Sequence, residues 1–261
     1  MTVDRGRIEA AVSEILAAIG DDPGREGLVD TPRRVAELLA ELYAYTGLDP
    51  ADALGTTFTA GDASTVGVAG GASAASSAAE TGASGAAGAA AVQAGRADAQ
   101  PAGPVLIRDI AFRSVCEHHL LPFEGVAHVA YLPGEQVAGL GGVVRVVESA
   151  ASRPQLQERL TDDIADALQR GLGARGVLVV LDARHGCVTA RGPRQTGSTT
   201  LTLAARGALA DPAARAELTA LIAAPRRPVE GGLIASHPTT PHAGMTTSAE
   251  PTTGAEAGEG P

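Results

Sequence analysis

The chain has 261 residues, of which 44% are hydrophobic but only 2% aromatic, so we expect a modest core and a good deal of unfolded chain. Its net charge of -10 argues against a general binder of nucleic acid or acidic membranes, because phosphate contacts need clustered cations. Lysine is absent, which excludes a P-loop and a Schiff-base enzyme.

The beginning of the chain does not look like a targeting segment. Met1–Ala11 is charged and lacks the apolar stretch of a signal peptide. No run of about 20 strongly apolar residues is present, so we expect no membrane-spanning helix. Two cysteines in a chain of this length do not form a disulfide scaffold. These features predict a soluble protein of the cytoplasm.

Two segments differ from the rest in composition. Residues 59–104 are almost entirely Ala, Gly, Ser and Thr, and such small side chains cannot offset the entropy of ordering, which predicts a flexible insertion. An Ala-rich helix near 86–94 is the alternative, and interspersed glycines weaken it. Residues 224–261 are rich in Pro, Thr, Gly and Glu and predict a disordered tail. One domain is expected, with an N-terminal helical part at 1–58 and a main part at 105–223.

The elements of this domain follow from hydrophobic periodicity. Helical spacing predicts four helices, at Ile8–Ile19, Thr31–Tyr45, Gln155–Leu172 and Pro212–Ile222. Alternating or β-branched runs predict five strands, at Val105–Val115, Gly125–Leu132, Gly176–Asp182, Cys187–Arg191 and Ser198–Ala205. This order indicates an α+β fold with an antiparallel sheet. The G-x-G-x-x-G match at 171–176 follows a helix rather than a strand, so we interpret it as a helix stop.

Both cysteines have histidines close by in the sequence. Cys116 precedes His118 and His119, and His185 lies two residues before Cys187, at a predicted turn between strands. Thiolate and imidazole are ligands that Zn²⁺ prefers, and two cysteines with one histidine of the pair would leave a coordination position open for water. An open site of this kind is typical of catalytic zinc. The alternatives are two ordinary buried cysteines, or a disulfide between them.

Other polar residues are weaker candidates. Gln157 and Glu158 place an amide beside a carboxylate, which can hold the N–H edge of a guanine-like ring, although a solvated helix face fits the same spacing. Three arginines can bind phosphates or simply carry surface charge: Arg34, Arg145 and Arg191. His128 alternates with apolar residues and is interpreted as a strand residue, and His237 and His242 fall in the predicted tail.

Five segments of the chain are familiar. Residues 114–123 read SVCEHHLLPF, 153–161 RPQLQERLT, 185–192 HGCVTARG, 25–35 REGLVDTPRRV and 54–58 LGTTF. Together they closely resemble the GTP cyclohydrolase I family. The resemblance implies a tunnelling fold (T-fold), in which antiparallel sheets with flanking helices join into an oligomeric barrel, with two pentameric rings stacked as a homodecamer. Active sites in that family lie between subunits.

The resemblance also implies a reaction and a set of site residues. GTP and water give formate and 7,8-dihydroneopterin triphosphate, which enters tetrahydrofolate, another pterin or a 7-deazapurine pathway. By motif position, the zinc ligands would be Cys116, His119 and Cys187, and the proton-transfer residues would be His118 and His185. Glu158 with Gln157 would anchor the guanine edge. The triphosphate would be held by Arg191, Arg145 and, from a neighbouring subunit, Arg34.

The sequence departs from that family at two places. The family usually has Ser-Lys after Gly-Leu, but here Gly141-Gly142 follow, so a hydroxyl and a cation at the triphosphate end are missing. Gly186 stands where a larger residue is common. Three alternatives to an active GTP cyclohydrolase I therefore stay open. One is a specialised paralogue that acts on another purine nucleotide or stops at the ring-opened product, and another is a non-catalytic assembly protein on the same fold. The last is a nitrile-reducing relative with this fold, which the histidines beside both cysteines disfavour, because that chemistry needs a free nucleophilic cysteine.

Overall fold

The computed structural model of the protein describes residues 3–60 and 103–225. The N-terminal part contains helix α1 (Arg5–Ala18), helix α2 (Thr31–Leu42), a 3₁₀ turn (Pro50–Leu54) and strand β1 (Thr57–Thr59). The predicted insertion and tail lie outside the described residues except for a few residues at their ends, and so do His237 and His242.

The second part supplies the sheet and the helices that cover it. Its elements in chain order are β2 (Val105–Cys116), β3 (Pro122–Leu132), β4 (Gln136–Ala138), α3 (Leu140–Ala151), β5 (Pro154–Gln155), α4 (Gln157–Leu172), β6 (Gly176–His185), α5 (Gly186–Thr189), β7 (Thr200–Gly207), a 3₁₀ turn (Ala208–Ala210) and α6 (Pro212–Ala223). The α+β class and the antiparallel sheet with flanking helices are confirmed. In the described residues no helix is long and apolar enough to cross a membrane.

Five strands form the main sheet, in the order β5-β2-β3-β6-β7. All neighbours are antiparallel except β5, which pairs parallel with the end of β2. Strands β2 and β6 both run antiparallel to β3, so their carboxyl ends lie at the same edge of the sheet, on either side of the beginning of β3. A separate two-stranded pair joins β1 to β4.

The main core lies between one face of the sheet and helices α3 and α4. Phe112 and Phe123 from the strands pack in one cluster with Leu160, Ile164 and Leu168 from α4. The three α4 residues recur at helical spacing and are fully buried, and each such burial stabilises the fold by about 1.5–3 kcal/mol. Helix α4 is thereby fixed against the sheet, and its first residues are held at the edge where β2 and β6 end.

The opposite face of the sheet carries a smaller cluster that contains Leu178, Leu209 and Leu218 and packs α6 against the sheet. His128 lies on β3 and is largely buried, which confirms its interpretation as a strand residue. Its Nδ1 accepts a hydrogen bond from the backbone N–H of Asp109 at 3.2 Å.

Helix α4 ends as the glycine pattern predicted. Its last residue is Leu172, and Gly173 follows in the left-handed conformation at φ +56°. A glycine adopts this conformation at a helix end without the steric cost of a Cβ. The interpretation of 171–176 as a helix stop is confirmed.

Some predicted elements differ from the structure. The strand predicted at Cys187–Arg191 is wrong, because the chain turns directly into the short helix α5. Helix α3 and the β1–β4 pair were not predicted. The four predicted helices and the other four strands are present, with ends shifted by a few residues.

Candidate active site

The edge where β2 and β6 end collects most of the predicted site residues. Cys116 is the last residue of β2 and His185 the last of β6. Phe123 near the start of β3 stands opposite His185 in the strand register. Strand β5 pairs Gln155 with Cys116 and leads straight into α4, which brings the first turn of α4 to the same edge.

A tight turn connects β2 to β3 and carries the histidine pair. The N–H of Leu120 donates to the carbonyl of Cys116, and the N–H of Cys116 donates to the carbonyl of Leu121, both at 2.9 Å. Leu120 adopts a left-handed φ of +53°, as the reversal requires. His118 and His119 are exposed on this turn with their rings perpendicular and 6.3 Å apart.

The three predicted metal ligands converge at this edge. Within the described residues, one ligand atom each from Cys116, His119 and Cys187 lies within 4.8 Å of the other two, and both thiols are free. Burial first, and then the neighbouring Cys116 thiol, raises the pKa of Cys187, while Arg191 opposes the shift. Two crowded thiols and an imidazole are a donor set that suits a borderline-soft cation such as Zn²⁺, whose charge favours the thiolate form. The residues present therefore fit a metal ion.

His185 lies half-buried between an aromatic ring and a buried amide. Its ring stacks on Phe123 with centroids 4.6 Å apart and planes 7° from parallel. Its Nε2 lies 2.6 Å from Oε1 of Gln157. Burial lowers the pKa of His185, and the Glu158 carboxylate acts in the opposite direction. The stacking contact was not predicted from the sequence, although Phe123 lies within one of the familiar segments.

The side chain of Gln157 lies inside the protein, whereas a side chain that binds a base is expected to face the substrate. Its side chain is 1% exposed, and its Nε2 donates to the carbonyls of Leu181 (3.3 Å) and Thr200 (2.8 Å) and faces the hydroxyl of Thr202 (3.1 Å). Both amide hydrogens are therefore used inside the protein. This arrangement leaves no side-chain N–H of Gln157 for the edge of a purine, whereas Glu158 is exposed.

An ion pair that the sequence did not predict connects the histidine turn to α4. The Arg159 guanidinium donates to both carboxylate oxygens of Glu117, at 2.7 and 3.0 Å, and lowers the pKa of that carboxyl. The backbone N–H of Glu117 also donates to the carbonyl of Gln155. Glu117 and Arg159 are 42 positions apart, so sequence spacing gave no basis for pairing them.

The predicted phosphate-binding arginines are not gathered by this single chain. Arg191 is exposed and close enough to Cys187 to act on its pKa. Arg145 on α3 donates to the backbone carbonyls of Ala53 and Leu54. Arg34 on α2 is exposed and pairs with Asp30 at 3.4 Å. In the single chain, Arg34 and Arg145 therefore contact residues outside the group formed by Cys116, His119 and Cys187.

The two glycines that replace the family's Ser-Lys pair, Gly141 and Gly142, differ in the space that the structure leaves for a side chain. Both glycines lie in the first turn of α3. A Cβ on Gly142 would come within 2.3 Å of the Leu54 carbonyl oxygen, whereas one on Gly141 would meet only the end of the Arg145 side chain, at 3.4 Å. The close approach of the 3₁₀ turn thus requires a residue without a side chain at position 142.

A cavity of about 490 Å³ lies between α2 and the sheet, and Leu120 and Gly186, the neighbours of His119 and Cys187 in the chain, also line it. Leu38 and Leu42 line it from the helix, and Arg113, Glu124 and Arg184 line it from the strands. These strand residues point away from the face that carries His185, and none of the predicted site residues lines this cavity.

An antiparallel α+β chain with a Cys-His-Cys group beside a half-buried histidine defines a candidate metalloenzyme. The chain matches the sequence profile of the family described as GTP cyclohydrolase I over residues 8–76 and 71–223. It belongs to the GTP cyclohydrolase I family.

Individual relatives agree with this assignment. A protein of Leifsonia xyli subsp. xyli named GTP cyclohydrolase 1 is 54% identical over 84% of this chain and 95% of its own length. The Bacillus subtilis protein of the same name is 42% identical over 83% of this chain and 94% of its own length. Among solved structures, the archaeosine synthase QueF-Like in the apo form has a TM-score of 0.35 and 18% identity, covering 41% of this chain and 97% of that chain.

Proposed function

We propose that this chain is a GTP cyclohydrolase I, which converts GTP and water into formate and 7,8-dihydroneopterin triphosphate. Membership of the family and the name of the relatives support this activity. The observation that carries the proposal is the convergence of Cys116, His119 and Cys187 at the strand edge that also holds His185.

We propose that the metal is Zn²⁺ and that these three side chains hold it. Two sulfurs and one nitrogen leave a tetrahedral position for water or substrate, as in catalytic zinc sites. When bound, zinc would lower the pKa of water toward neutrality and so supply the nucleophile for C8 of the purine.

Two histidines that are not ligands handle protons in this proposal. His118 is exposed on the turn beside His119 and protonates the ring nitrogen that departs when the imidazole ring of GTP opens. His185 is the second acid/base residue. Burial lowers its pKa, which favours the neutral ring near pH 7, so it can accept a proton.

The substrate is anchored at its two ends. Glu158, exposed in the first turn of α4, accepts the N–H groups of the guanine edge. Arg191, Arg145 and, from a neighbouring subunit, Arg34 hold the triphosphate, because the guanidinium fork matches phosphate oxygens. Firm anchoring at both ends keeps one substrate in place through several proton transfers.

We propose that the site is completed by oligomerisation, with a homodecamer as the assembly. No residue of helix α1 is fully buried in the single chain, and Ile15 on the helix and Ile19 just after its end are 57% and 71% exposed. Apolar residues on a helix that is not covered within its own chain are typical of an interface. Arg34 belongs to the same N-terminal part and would enter a neighbouring site.

The test is product formation from GTP by purified, zinc-loaded protein. Formate is measured enzymatically, and the pterin is measured by its fluorescence after oxidation. Both products are expected from the wild type and neither from His118→Ala. Absence of both products from wild type with bound zinc would overturn the activity and favour a non-catalytic assembly protein. Formate without a pterin would indicate that the reaction stops at the ring-opened stage.

A second candidate is a paralogue that prefers a purine nucleotide with fewer phosphates. Gly142 cannot carry a side chain beneath Leu54, and Arg145 is occupied with backbone carbonyls, so the triphosphate end has few free cations. A missing charged phosphate contact costs about 1.5–3 kcal/mol, or roughly 10- to 150-fold in affinity. The test is to measure kcat/KM for GTP, GDP and guanosine. This candidate requires that kcat/KM for GDP or guanosine be higher than that for GTP.

A further inference from the structure

The side-chain amide of Gln157 contacts the His185 ring from inside the protein. Gln157 is the first residue of α4 and is 1% exposed. Three oxygens surround its Nε2, namely the carbonyls of Leu181 and Thr200 and the hydroxyl of Thr202. The Thr202 hydroxyl is itself hydrogen-bonded to Thr161 Oγ1 at 2.6 Å.

These neighbours decide which way the amide points. A carbonyl oxygen has lone pairs only, so the amide oxygen of Gln157 cannot face the carbonyls of Leu181 and Thr200 without repulsion in a buried place. The NH₂ group must face them, and Oε1 must face the His185 ring. The hydrogen-bond partners of the amide therefore determine which of its two terminal atoms is the oxygen and which is the nitrogen.

The orientation of the amide determines the state of the ring. Oε1 of Gln157 is an acceptor and lies 2.6 Å from Nε2 of His185, so Nε2 carries the hydrogen and donates it. In the neutral ring the other nitrogen, Nδ1, then has a lone pair. Stacking on Phe123 at 4.6 Å restricts the ring to one plane.

We propose that Gln157 is a positioning residue, which fixes the orientation of the His185 ring at the site and holds it in the tautomer with hydrogen on Nε2 and the lone pair on Nδ1. This role replaces the contact with the guanine edge. It rests on the proposed function for its catalytic part, whereas the tautomer itself is a property of the folded chain.

The experiment compares two variants of the zinc-loaded protein. Gln157→Met fills a similar volume and removes the acceptor. The matched control is Gln155→Met, because Gln155 is equally buried and its Nε2 bonds to Ala150 and Asp163 instead of a histidine. Each variant is measured for kcat and KM with GTP and for the ring ¹⁵N shifts of His185, identified by their loss in His185→Gln.

We expect Gln157→Met to lower kcat by about 10- to 100-fold, a part of what proton-transfer residues contribute, with KM within twofold of wild type. The His185 signal should change from a single Nε2–H tautomer to a mixture. Gln155→Met should leave both kcat and the tautomer unchanged.

Several results would overturn the proposal. A rise in KM with unchanged kcat in Gln157→Met would mean that Gln157 binds the base. An equal fall of kcat in Gln155→Met would mean that the effect is structural. A wild-type His185 with hydrogen on Nδ1 would exclude the contact itself. If the wild type is inactive, the proposed function fails while the ¹⁵N measurement still decides whether Gln157 fixes the ring.

Discussion

At the scale of single residues, the candidate metal centre depends on three side chains from two turns. Cys187→Ser replaces a soft ligand with a poor one, and we expect metal affinity to fall by more than about 100-fold, since loss of an outer-shell partner alone costs 10- to 100-fold. His118→Ala is the control, because His118 lies outside the Cys116-His119-Cys187 group. Metal per chain, measured by mass spectrometry, should drop in the first variant only; equal loss in both would contradict the ligand assignment.

The glycine pair offers a second test at this scale, with an internal control. Gly142→Ala would push a Cβ to 2.3 Å from the Leu54 carbonyl oxygen, and the backbone shift should cost about 1–3 kcal/mol. Gly141→Ala meets only the mobile end of Arg145 and should be neutral or stabilising by up to about 1 kcal/mol. Chemical denaturation measures both. Equal effects of the two substitutions would show that the contact with Leu54 does not constrain position 142.

The sequence was informative about residues whose chemistry is rare. Cysteines beside histidines predicted a metal group, and the structure brings Cys116, His119 and Cys187 together. The role of Gln157 was not predictable, because an amide at a helix start is compatible with solvent, substrate or core. Its surroundings come from Leu181 and Thr200, 24 and 43 residues away, and only the fold places these carbonyls around it.

At the scale of elements, the failed predictions have local causes. The Val-Thr run after Cys187 favours a strand, but β3 begins at Pro122, and His185 is the last residue of β6 with a partner in it. Residues after His185 have no residue of β3 opposite them, so the chain leaves the sheet and turns into α5. Helix α3 was missed because two glycines and four valines lower helix propensity, although Val143, Val147 and Ala150 have helical spacing and are buried.

The link between the 3₁₀ turn and α4 predicts a pH dependence of stability. Asp49 accepts a hydrogen bond from the N–H of Ala51 and two from Arg170, and the backbone bond first, then Arg170, lower its pKa. The folded pKa lies below the unfolded value of about 3.9, so this contribution is present above that pH and is lost as the pH falls through the folded pKa.

Asp49→Asn keeps a capping oxygen but removes the charge. We expect the variant to be less stable than wild type at pH 7, by at most about 1 kcal/mol because the ion pair is half exposed. The difference in free energy of unfolding should shrink as the pH falls below about 4. Urea titrations at several pH values measure it, and a difference that stays constant would show that the charge of Asp49 makes no contribution.

At the scale of the whole molecule, the proposed substrate site is not complete within one chain. The metal group lies near His185, whose pKa burial lowers and the Glu158 carboxylate raises, but Arg34 pairs with Asp30 on its own helix end. No residue of helix α1 is fully buried in the single chain, and Leu201 on the edge strand β7 is 67% exposed. The sequence predicted the sheet and four helices from periodicity, but surfaces that would join copies of the chain carry no comparable pattern.

A shared site predicts complementation between two damaged chains. Arg34→Ala keeps the metal group but should lower kcat/KM by about 10-fold or more through loss of a charged phosphate contact. Cys187→Ser keeps Arg34 but should be inactive. If Arg34 acts across the interface, co-expression of the two variants in equal amounts yields roughly a quarter of sites with both functions intact.

Activity of the mixture should therefore exceed the mean of the two separate variants. The control is Arg33→Ala, because Arg33 lies on the same helix turn but pairs with Glu37, and this variant should retain wild-type kcat/KM. If Arg34 serves the site of its own chain, every mixed site lacks one function and the mixture shows only the average. Because the recovered activity requires contact between copies, its appearance would establish at once that the protein assembles and that α2 of one subunit reaches the catalytic edge of another.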